Sequence, residues 1–204
     1  MISEVFLQDC MEGMKTYPDK YFDLAVVDPP FGIGNFVQNT GTIRGDAVTW
    51  NDKTPNEEYF NELKRVSKHR IIFGANYYNC FEGKSGAIVW VKNQPMPNFS
   101  KCVIASCTHH KKIELYTQTW TNFVNDRDTD HPCEMPKDIY SWIYKNYLPE
   151  GGKVIDTHLG SGSNRIAADK AGNIDFTGYE IDKDYYEAQE KRWKNYKAQL
   201  TMFA

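Results

Sequence analysis

A carboxylate, two prolines and an aromatic ring follow an apolar run in the stretch VVDPPFGIG, residues 26–34. Asp-Pro-Pro can simply end a strand, because proline has no N–H for a sheet ladder. The same residues can also present an acid, a rigid carbonyl and a stacking ring at a strand's carboxyl end, where open α/β sheets bind ligands. The motif alone leaves both interpretations open. Its four candidate catalytic residues are Asp28, Pro29, Pro30 and Phe31.

A second candidate site lies in GGKVIDTHLGSGSNRIAA, residues 151–168. A short apolar strand ends here in Asp156, and a glycine-rich loop and a helix start follow, an arrangement that lets backbone approach a ligand closely. The next predicted strand also ends in an acid, Glu180, 18 positions after Gly162. This is near the spacing of roughly 20 expected when a second acid binds a ribose. A dinucleotide and another adenosine-containing cofactor both fit, although Arg165 stands where a dinucleotide fingerprint has its third glycine.

The bulk composition is that of an ordinary globular protein. With 204 residues, 41% of them hydrophobic and 25% charged, we predict a single domain over residues 1–204. No apolar run approaches the roughly 20 residues that cross a bilayer, and the amino terminus has no signal-peptide core. We therefore expect a cytoplasmic protein with no membrane partner. The formal net charge of -3 argues against binding nucleic acid by bulk electrostatics alone, so any such contact must be local.

The cysteines do not suggest a disulfide framework or a zinc ribbon. There are five, an odd number, and none forms a CxxC pair. A cluster of Cys102, Cys107, His109 and His110 could bind a metal, but its spacing fits no standard zinc pattern. We predict no metal site.

Short apolar runs alternate with amphipathic segments along the chain, which predicts an α/β fold with a mostly parallel sheet covered by helices. Seven strands are predicted, at residues 5–7, 24–27, 71–73, 87–91, 113–117, 153–155 and 176–179. Helices are predicted from Thr54, where Glu57 stands in capping-box register, after Pro136, and from about Asp184 to the carboxyl terminus. Residues 34–53 show no period, and a long loop inside a compact domain is usually functional.

Three motifs, VVDPPF, HPCEMP and VIDTHLGSGSNRIAA, occur in this order and together resemble the beta-class DNA amino-methyltransferases. The segments LQDC, IIFGANYY and TGYEID also fall where that family has its corresponding segments, so the resemblance covers nearly the whole chain. It implies a Rossmann-like methyltransferase fold with helices on both faces of the sheet. It also implies a circularly permuted motif order, with the catalytic motif first, and S-adenosylmethionine as the cofactor.

The resemblance also implies roles for cofactor-binding residues. Asp9 would lie near the adenine amine of the cofactor, Asp156, Gly160 and Gly162 would form the loop at its methionine side, and Glu180 would hold its ribose hydroxyls. The other residues in or beside these segments are Cys10, Thr157, His158, Ser161, Ser163, Asn164, Ile181 and His131. Two alternatives stay open, since Asp9 could be a turn residue and Glu180 a strand-ending acid that faces water. The family usually has proline and an aromatic residue in place of Thr157 and His158, and lysine in place of Met135, which puts cofactor affinity in question.

For catalysis, the resemblance implies transfer of a methyl group to an exocyclic amine of a base. The lone pair of such an amine is delocalised into the ring, so acceptors must draw it out toward the methyl donor. The Asp28 carboxylate and the Pro29 carbonyl can each accept one N–H, and Phe31 offers a face for stacking. In the family, aspartate at this position is typical of adenine N6 enzymes, so we predict a DNA adenine N6-methyltransferase acting on a flipped or single-stranded base.

Sequence recognition has little room in this chain. Only residues 34–53 and 93–110 are predicted to read DNA, with Arg44, Asn98 and Lys101 as candidate contacts. A short recognition site, a homodimer or a second recognition subunit would each fit. Cytosine N4 and RNA adenine methylation, and a catalytically silent nucleic-acid-binding subunit, remain alternatives, while an oxidoreductase is disfavoured by the glycine pattern. A role in restriction-modification, in phage modification or in regulation stays open.

Overall fold

Eight strands form one sheet in the computed structural model, which describes residues 2–34, 51–93, 100–118 and 134–202. The strands of this described part are β1 (Ser3–Leu7), β2 (Phe22–Val27), β3 (Ser67–Phe73), β4 (Gly86–Val91), β5 (Cys102–Cys107), β6 (Ile113–Thr117), β7 (Lys153–Asp156) and β8 (Asp175–Glu180). Its helices are α1 (Cys10–Met14), α2 (Glu57–Val66), α3 (Lys137–Tyr147), α4 (Ser163–Ala171) and α5 (Lys183–Met202).

The sheet has the order β1-β8-β7-β2-β3-β5-β4-β6. Strand β5 runs antiparallel to both of its neighbours, and every other pairing is parallel. The α/β class, the mostly parallel sheet and all seven predicted strands are therefore confirmed, but the predicted number of strands was one too low.

The additional strand is β5, which lies within the recognition loop predicted at residues 93–110. For residues 102–107 that prediction is wrong, because they pair with both β3 and β4 inside the sheet. The run CVIASC ends in small residues and is flanked by lysines and histidines, so it lacks the apolar contrast of the other strands. Residues 94–99, with Asn98, and residues 35–50, with Arg44, lie outside the described residues.

Successive residues of β2 face two separate hydrophobic cores. Leu24 and Val26 pack with residues of α3 and α4, whereas Ala25 and Val27 pack with residues of α1 and α2. All four side chains are buried. Side chains alternate across a strand, so this apolar run covers both faces of the sheet at once. Helices on both faces are confirmed.

The start of α2 differs from the prediction. The residue that caps the helix is Asn56, whose side-chain oxygen accepts a hydrogen bond from the Tyr59 N–H at 3.0 Å. A capping box from Thr54 to Glu57 is therefore wrong. Asparagine is a stronger cap than threonine, and capping at Asn56 places Glu57 and Glu58 in the first turn, where the helix dipole favours acids.

The two other predicted helix starts are confirmed to within one residue, with α3 following Pro136 and α5 beginning at Lys183. Of the helices in the described ranges, none combines the length and the apolar character that spanning a bilayer requires.

Candidate active site

The two candidate motifs meet at one edge of the sheet. Strands β2 and β7 are parallel neighbours, with Ala25 opposite Ile155, so the DPPF segment and the glycine-rich loop both begin at the same edge. Asn164 in α4 joins them, because its side-chain Nδ2 donates to the Val26 carbonyl at 3.1 Å and to Asp156 Oδ2 at 2.8 Å. The sheet thus brings together segments that are more than a hundred positions apart.

Asp28 is the first residue after β2. Its Oδ1 atom is buried and accepts no hydrogen bond from any residue that the structure describes, although the side chain as a whole is only partly buried. The pKa of the Asp28 carboxyl is raised to about 7, mainly by burial and to a smaller extent by the negative charge of Asp156. An unsatisfied buried acceptor costs free energy, so this oxygen is suited to a donor that a ligand would bring.

Two polar side chains hold the DPPF segment, and neither was predicted from the sequence. The buried Asn51 accepts a hydrogen bond from the Phe31 N–H at 2.7 Å through its side chain and from the Gly34 N–H at 3.0 Å through its carbonyl. The Tyr78 hydroxyl donates to the carbonyls of Pro29 and Pro30. Asn51 closes the predicted 34–53 loop, and Tyr78 ends the IIFGANYY segment.

The ring of Phe31 lies in a notch formed by the same segment. Tyr77 stacks on it with ring centroids 4.8 Å apart and an interplanar angle of 13°. Gly74, with a φ of +75°, lies so close that a Cβ atom there would come within 2.3 Å of Phe31 Cε1. The Phe31 ring therefore occupies the space that the missing side chain of Gly74 leaves open.

Glu180, the last residue of β8, stabilises the backbone of the glycine-rich loop. One carboxylate oxygen of Glu180 accepts the Gly160 N–H at 2.9 Å, and the other accepts the Asp182 N–H at 2.9 Å. The side chain is 9% exposed, and burial raises its pKa. The alternative of an acid that faces water is therefore wrong. Gly162 has a φ of 76°, a left-handed conformation that favours glycine, directly before α4.

Asp156 lies behind the loop and is almost fully buried. Its Oδ1 accepts the His158 N–H at 3.1 Å, and burial raises its pKa to about 7. The Thr157 hydroxyl bonds to the Tyr59 hydroxyl at 2.7 Å and to His158 Nδ1 at 3.0 Å. Burial lowers the pKa of His158 to about 4, so its ring is neutral at neutral pH. Thr157 and His158, two of the three residues that depart from the family pattern, thus pack against α2.

Asp9 and its neighbours lie at the end of β1, next to β8. Asp9 is exposed and caps α1, where its side chain accepts a hydrogen bond from the Met11 N–H at 2.8 Å. This contact agrees with the alternative prediction that Asp9 is a turn residue. Burial raises the pKa of the Cys10 thiol to about 12, and Ile181 is 67% exposed beside Glu180. His131 lies outside the described residues, while Met135 is buried in the core.

A buried ionic network ties the loop to α5. Arg192 donates to the Ser161 carbonyl at 2.8 Å, to the Ser163 hydroxyl at 3.0 Å and to Glu134 Oε1 at 2.7 Å. The Ser163 hydroxyl also donates to Glu134 Oε1 at 3.1 Å. The side chains of Arg192 and Glu134 are 8% and 2% exposed. No sequence signal had singled out Arg192.

Arg192→Ala should lower the free energy of unfolding by about 3 kcal/mol or more, because it leaves the Glu134 charge buried without its partner. The control on the same helix is Lys183→Ala, which removes an ion pair with Glu187 between largely exposed side chains. That change should leave the stability nearly unchanged. Urea denaturation measures both, and equal small losses would contradict a structural role for the network.

The acids around the loop suit a cofactor that carries positive charge. Asp156 and Glu180 are both buried against the loop backbone. The arginine at position 165 turns away, since it bonds to Ser3 Oγ and Glu190 and stacks over the Trp193 ring at 4.2 Å. A pyrophosphate would therefore not meet this guanidinium. The site fits the sulfonium cofactor better than a dinucleotide.

Comparisons with known proteins agree with this arrangement. Residues 106–191 match the family model N6_N4_Mtase, described as DNA methylase. A provisionally named methylase of Escherichia coli (strain K12), YubD, is 25% identical over 207 residues, covering 92% of this chain and 88% of its own. The predicted resemblance to the amino-methyltransferases is confirmed.

Two solved structures share the fold. That of M1.HpyAVI in complex with S-adenosylmethionine has a TM-score of 0.62 at 17% identity and covers 94% of this chain and 100% of its own. The cytosine-N4-specific PvuII DNA methyltransferase has a TM-score of 0.62 at 10% identity, covering 93% of this chain and 86% of its own. The Rossmann-like methyltransferase fold is confirmed.

Proposed function

We propose that this chain, which resembles the DNA amino-methyltransferases over nearly its whole length, transfers a methyl group from S-adenosylmethionine to the N6 amine of adenine in DNA. The observation that carries the proposal is the buried Oδ1 of Asp28, which accepts no hydrogen bond from the described part of the chain and lies at the same sheet edge as the glycine-rich loop. The family match over residues 106–191 supports the same reaction class.

S-adenosylmethionine, when bound, supplies a methyl group made electrophilic by its sulfonium. Asp28 and the Pro29 carbonyl each accept one N–H of the target amine, which turns the nitrogen lone pair toward that methyl group. Transfer would replace the C–S bond of the sulfonium by a C–N bond and leave a neutral thioether, and the proton that the amine then loses would pass to the Asp28 carboxylate. Both hydrogen bonds strengthen as positive charge develops on nitrogen, so they stabilise the transition state more than the bound substrate.

The remaining residues bind and orient. Phe31 stacks on the base, which must leave the duplex or come from a single strand. Glu180 retains lone pairs for ribose hydroxyls while it braces Gly160, and Asp156 with the glycine loop receives the methionine end. Orientation of this kind can supply roughly 7 to 11 kcal/mol of the barrier, so no metal or activated nucleophile is required.

Further parts of the proposal concern partners and setting. With a net charge of -3, DNA is held by local contacts such as Lys101, by a homodimer or by a second recognition subunit. The reaction would take place in the cytoplasm, where it could serve restriction-modification or phage modification.

Labelled methyl transfer from S-adenosylmethionine to unmethylated DNA, with separation of the product nucleosides, tests the proposal. Label on N6-methyladenine supports it, and label on N4-methylcytosine replaces adenine by cytosine as the target. Transfer to RNA alone would overturn the DNA assignment. No transfer to either, together with no cofactor binding by calorimetry to the folded chain, would favour a silent nucleic-acid-binding subunit.

The rate of transfer should depend on pH through Asp28. Only the ionised Asp28 carboxylate can accept the proton of the target amine and stabilise the positive charge that develops on its nitrogen. The pKa of Asp28 is raised to about 7. Single-turnover transfer at saturating cofactor should therefore rise with pH and level off above about 7, rather than above the ordinary value of about 4. Asp156→Asn removes the neighbouring charge and should shift the midpoint to lower pH. A profile that is flat between pH 5 and 9 would contradict this role.

A further inference from the structure

The FGANYY segment, residues 73–78, has a hydroxyl that reaches the catalytic backbone. Tyr78 follows β3, the strand beside β2, and its hydroxyl lies 2.5 Å from the Pro29 carbonyl oxygen and 3.0 Å from that of Pro30. Its ring is edge-on to Phe31 with centroids 6.3 Å apart and tilted against Phe60 at 5.5 Å. The side chain is thus packed so that its hydroxyl bridges two successive carbonyls.

Those two carbonyls need a donor from elsewhere in the chain. Pro29 and Pro30 have no N–H, so the DPP stretch cannot be fixed by the paired N–H and C=O bonds that hold a strand. The Pro29 carbonyl is the group to which the target amine would donate its second N–H. A peptide group that is free to tilt would misdirect this acceptor.

The Tyr78 hydroxyl is suited to act as a permanent donor. Its pKa is raised well above the ordinary value, mainly by burial and to a smaller extent by the negative charge of Asp28. The hydroxyl therefore keeps its proton at neutral pH. A carbonyl oxygen has two lone pairs, so a bond from Tyr78 leaves the second lone pair of Pro29 available for an amine.

We propose that Tyr78 is a positioning residue that orients the Pro29 carbonyl toward the amine of the target base. The inference rests on the proposed function, because it assigns Tyr78 a part in presenting the same acceptor. Tyr78 itself touches no reacting atom. It acts through the two proline carbonyls.

The kinetic test is Tyr78→Phe, which keeps the ring and its contacts and removes only the hydroxyl. Loss of one such hydrogen bond should lower kcat for methyl transfer about 10-fold. The KM for DNA, cofactor affinity by calorimetry, the Tm and the midpoint of the pH profile should stay as in the wild type. The matched control is Tyr186→Phe, which removes a hydroxyl that donates to the Val5 carbonyl at 3.4 Å on β1, and its kcat should not change.

Two kinetic outcomes would overturn the proposal. One is a Tyr78→Phe enzyme with the kcat of the Tyr186→Phe enzyme. The other is a Tyr78→Phe enzyme in which cofactor binding and Tm fall together with kcat, because the hydroxyl would then support the fold rather than the acceptor.

A second measurement does not depend on activity. The chain contains nine prolines, and Pro29-Pro30 is the one Pro-Pro pair in its sequence. In protein made with ¹³C-carbonyl proline and ¹⁵N proline, the Pro29 carbonyl is therefore the one proline carbonyl coupled to a labelled nitrogen. Its resonance should shift in Tyr78→Phe and stay in place in Tyr186→Phe. An unchanged resonance in both would refute the hydrogen bond, while an inactive wild type with the expected shift would refute only the proposed function.

Discussion

Asp28→Ala is expected to lower methyl transfer by about 100- to 1000-fold while leaving binding of S-adenosylmethionine intact. The carboxylate is the acceptor that strengthens its bond as charge develops on the amine, and loss of one preorganised group of this kind typically costs 100- to 1000-fold. Cofactor binding should survive, because the glycine-rich loop is braced by Glu180 and Arg192 and not by Asp28. Single-turnover transfer and calorimetry on the same preparation separate the two effects.

The same substitution should not reduce stability at pH 8. The buried Oδ1 of Asp28 accepts no hydrogen bond within the described residues, and its raised pKa means that ionisation of the folded state is costly. A group that binds its proton more tightly in the folded chain makes stability fall as pH rises from about 4 to about 7. Removing the carboxyl should remove part of that loss, so the Tm of Asp28→Ala at pH 8 should equal or exceed that of the wild type.

The control is Asp23→Ala, a change at the opposite end of the same strand. Asp23 pairs with Lys68 at 2.7 Å and accepts the Lys153 N–H at 2.9 Å, so its loss should affect stability rather than transfer. If Asp28→Ala kept near-normal transfer, or if Asp23→Ala lost transfer to the same extent, the catalytic assignment would be wrong.

The fold was predictable to the extent that burial leaves a local pattern. Strands β2 and β7 are apolar runs bounded by breakers, because both faces of a central parallel strand are covered, and both were predicted. Strand β5 is as buried at its end, yet Ala105, Ser106 and Cys107 are small, and their burial comes from neighbouring strands rather than from their own hydrophobicity.

The residues of the candidate site likewise fall into two groups, those that a local sequence pattern reveals and those that it does not. Asp28, Asp156 and Glu180 could be found because each is an acid that ends a strand or directly follows one, and parallel strands bring their carboxyl ends to one edge. Asn51, Tyr78 and Arg192 could not, since each holds a backbone group that lies far away in sequence. An asparagine at the end of a long loop, or an arginine on a terminal helix, leaves no signal of the carbonyl or N–H that it will meet.

The supporting residues Asn51, Tyr78 and Arg192 are all needed for the same physical reason. Glycine and proline give the two motifs their special backbone, but they also remove donors and side chains that would otherwise fix it. Donors and acceptors from other elements therefore replace them, with Tyr78 and Asn51 on the DPPF segment and Arg192 and Glu180 on the glycine loop. Substitutions at these four positions should affect chemistry through geometry.

Gly74→Ala is the second change with a large expected effect, because Phe31 occupies the space that a Cβ atom would need. The added atom would lie 2.3 Å from Phe31 Cε1, whereas ordinary contact begins at 3.4 Å, so the ring must move by about an ångström. Misplacement on that scale can cost about 100-fold in rate, and we expect that loss in transfer. Cofactor affinity should not change.

Backbone strain contributes separately, since Gly74 has a φ of +75°. The matched control is Gly83→Ala, at a glycine with a φ of +56° and no atom within 4 Å of its Cβ position. Both changes carry the roughly 1 to 2 kcal/mol cost of a left-handed alanine, so both should lower the Tm, but only Gly74→Ala should lose transfer. Equal transfer in the two variants would show that the position of the Phe31 ring does not matter.

A double-mutant cycle with Phe31→Ala tests whether the ring carries the effect of Gly74→Ala. If the clash with Phe31 is the cause, Gly74→Ala should reduce transfer about 100-fold in the wild type and hardly at all once Phe31 is alanine. Phe31→Ala by itself should remove base stacking worth about 1 to 3 kcal/mol. If the two losses multiply instead, Gly74→Ala acts through the backbone of the FGANYY segment, and Tyr78, four residues further along, becomes the group through which the strain reaches the acceptor.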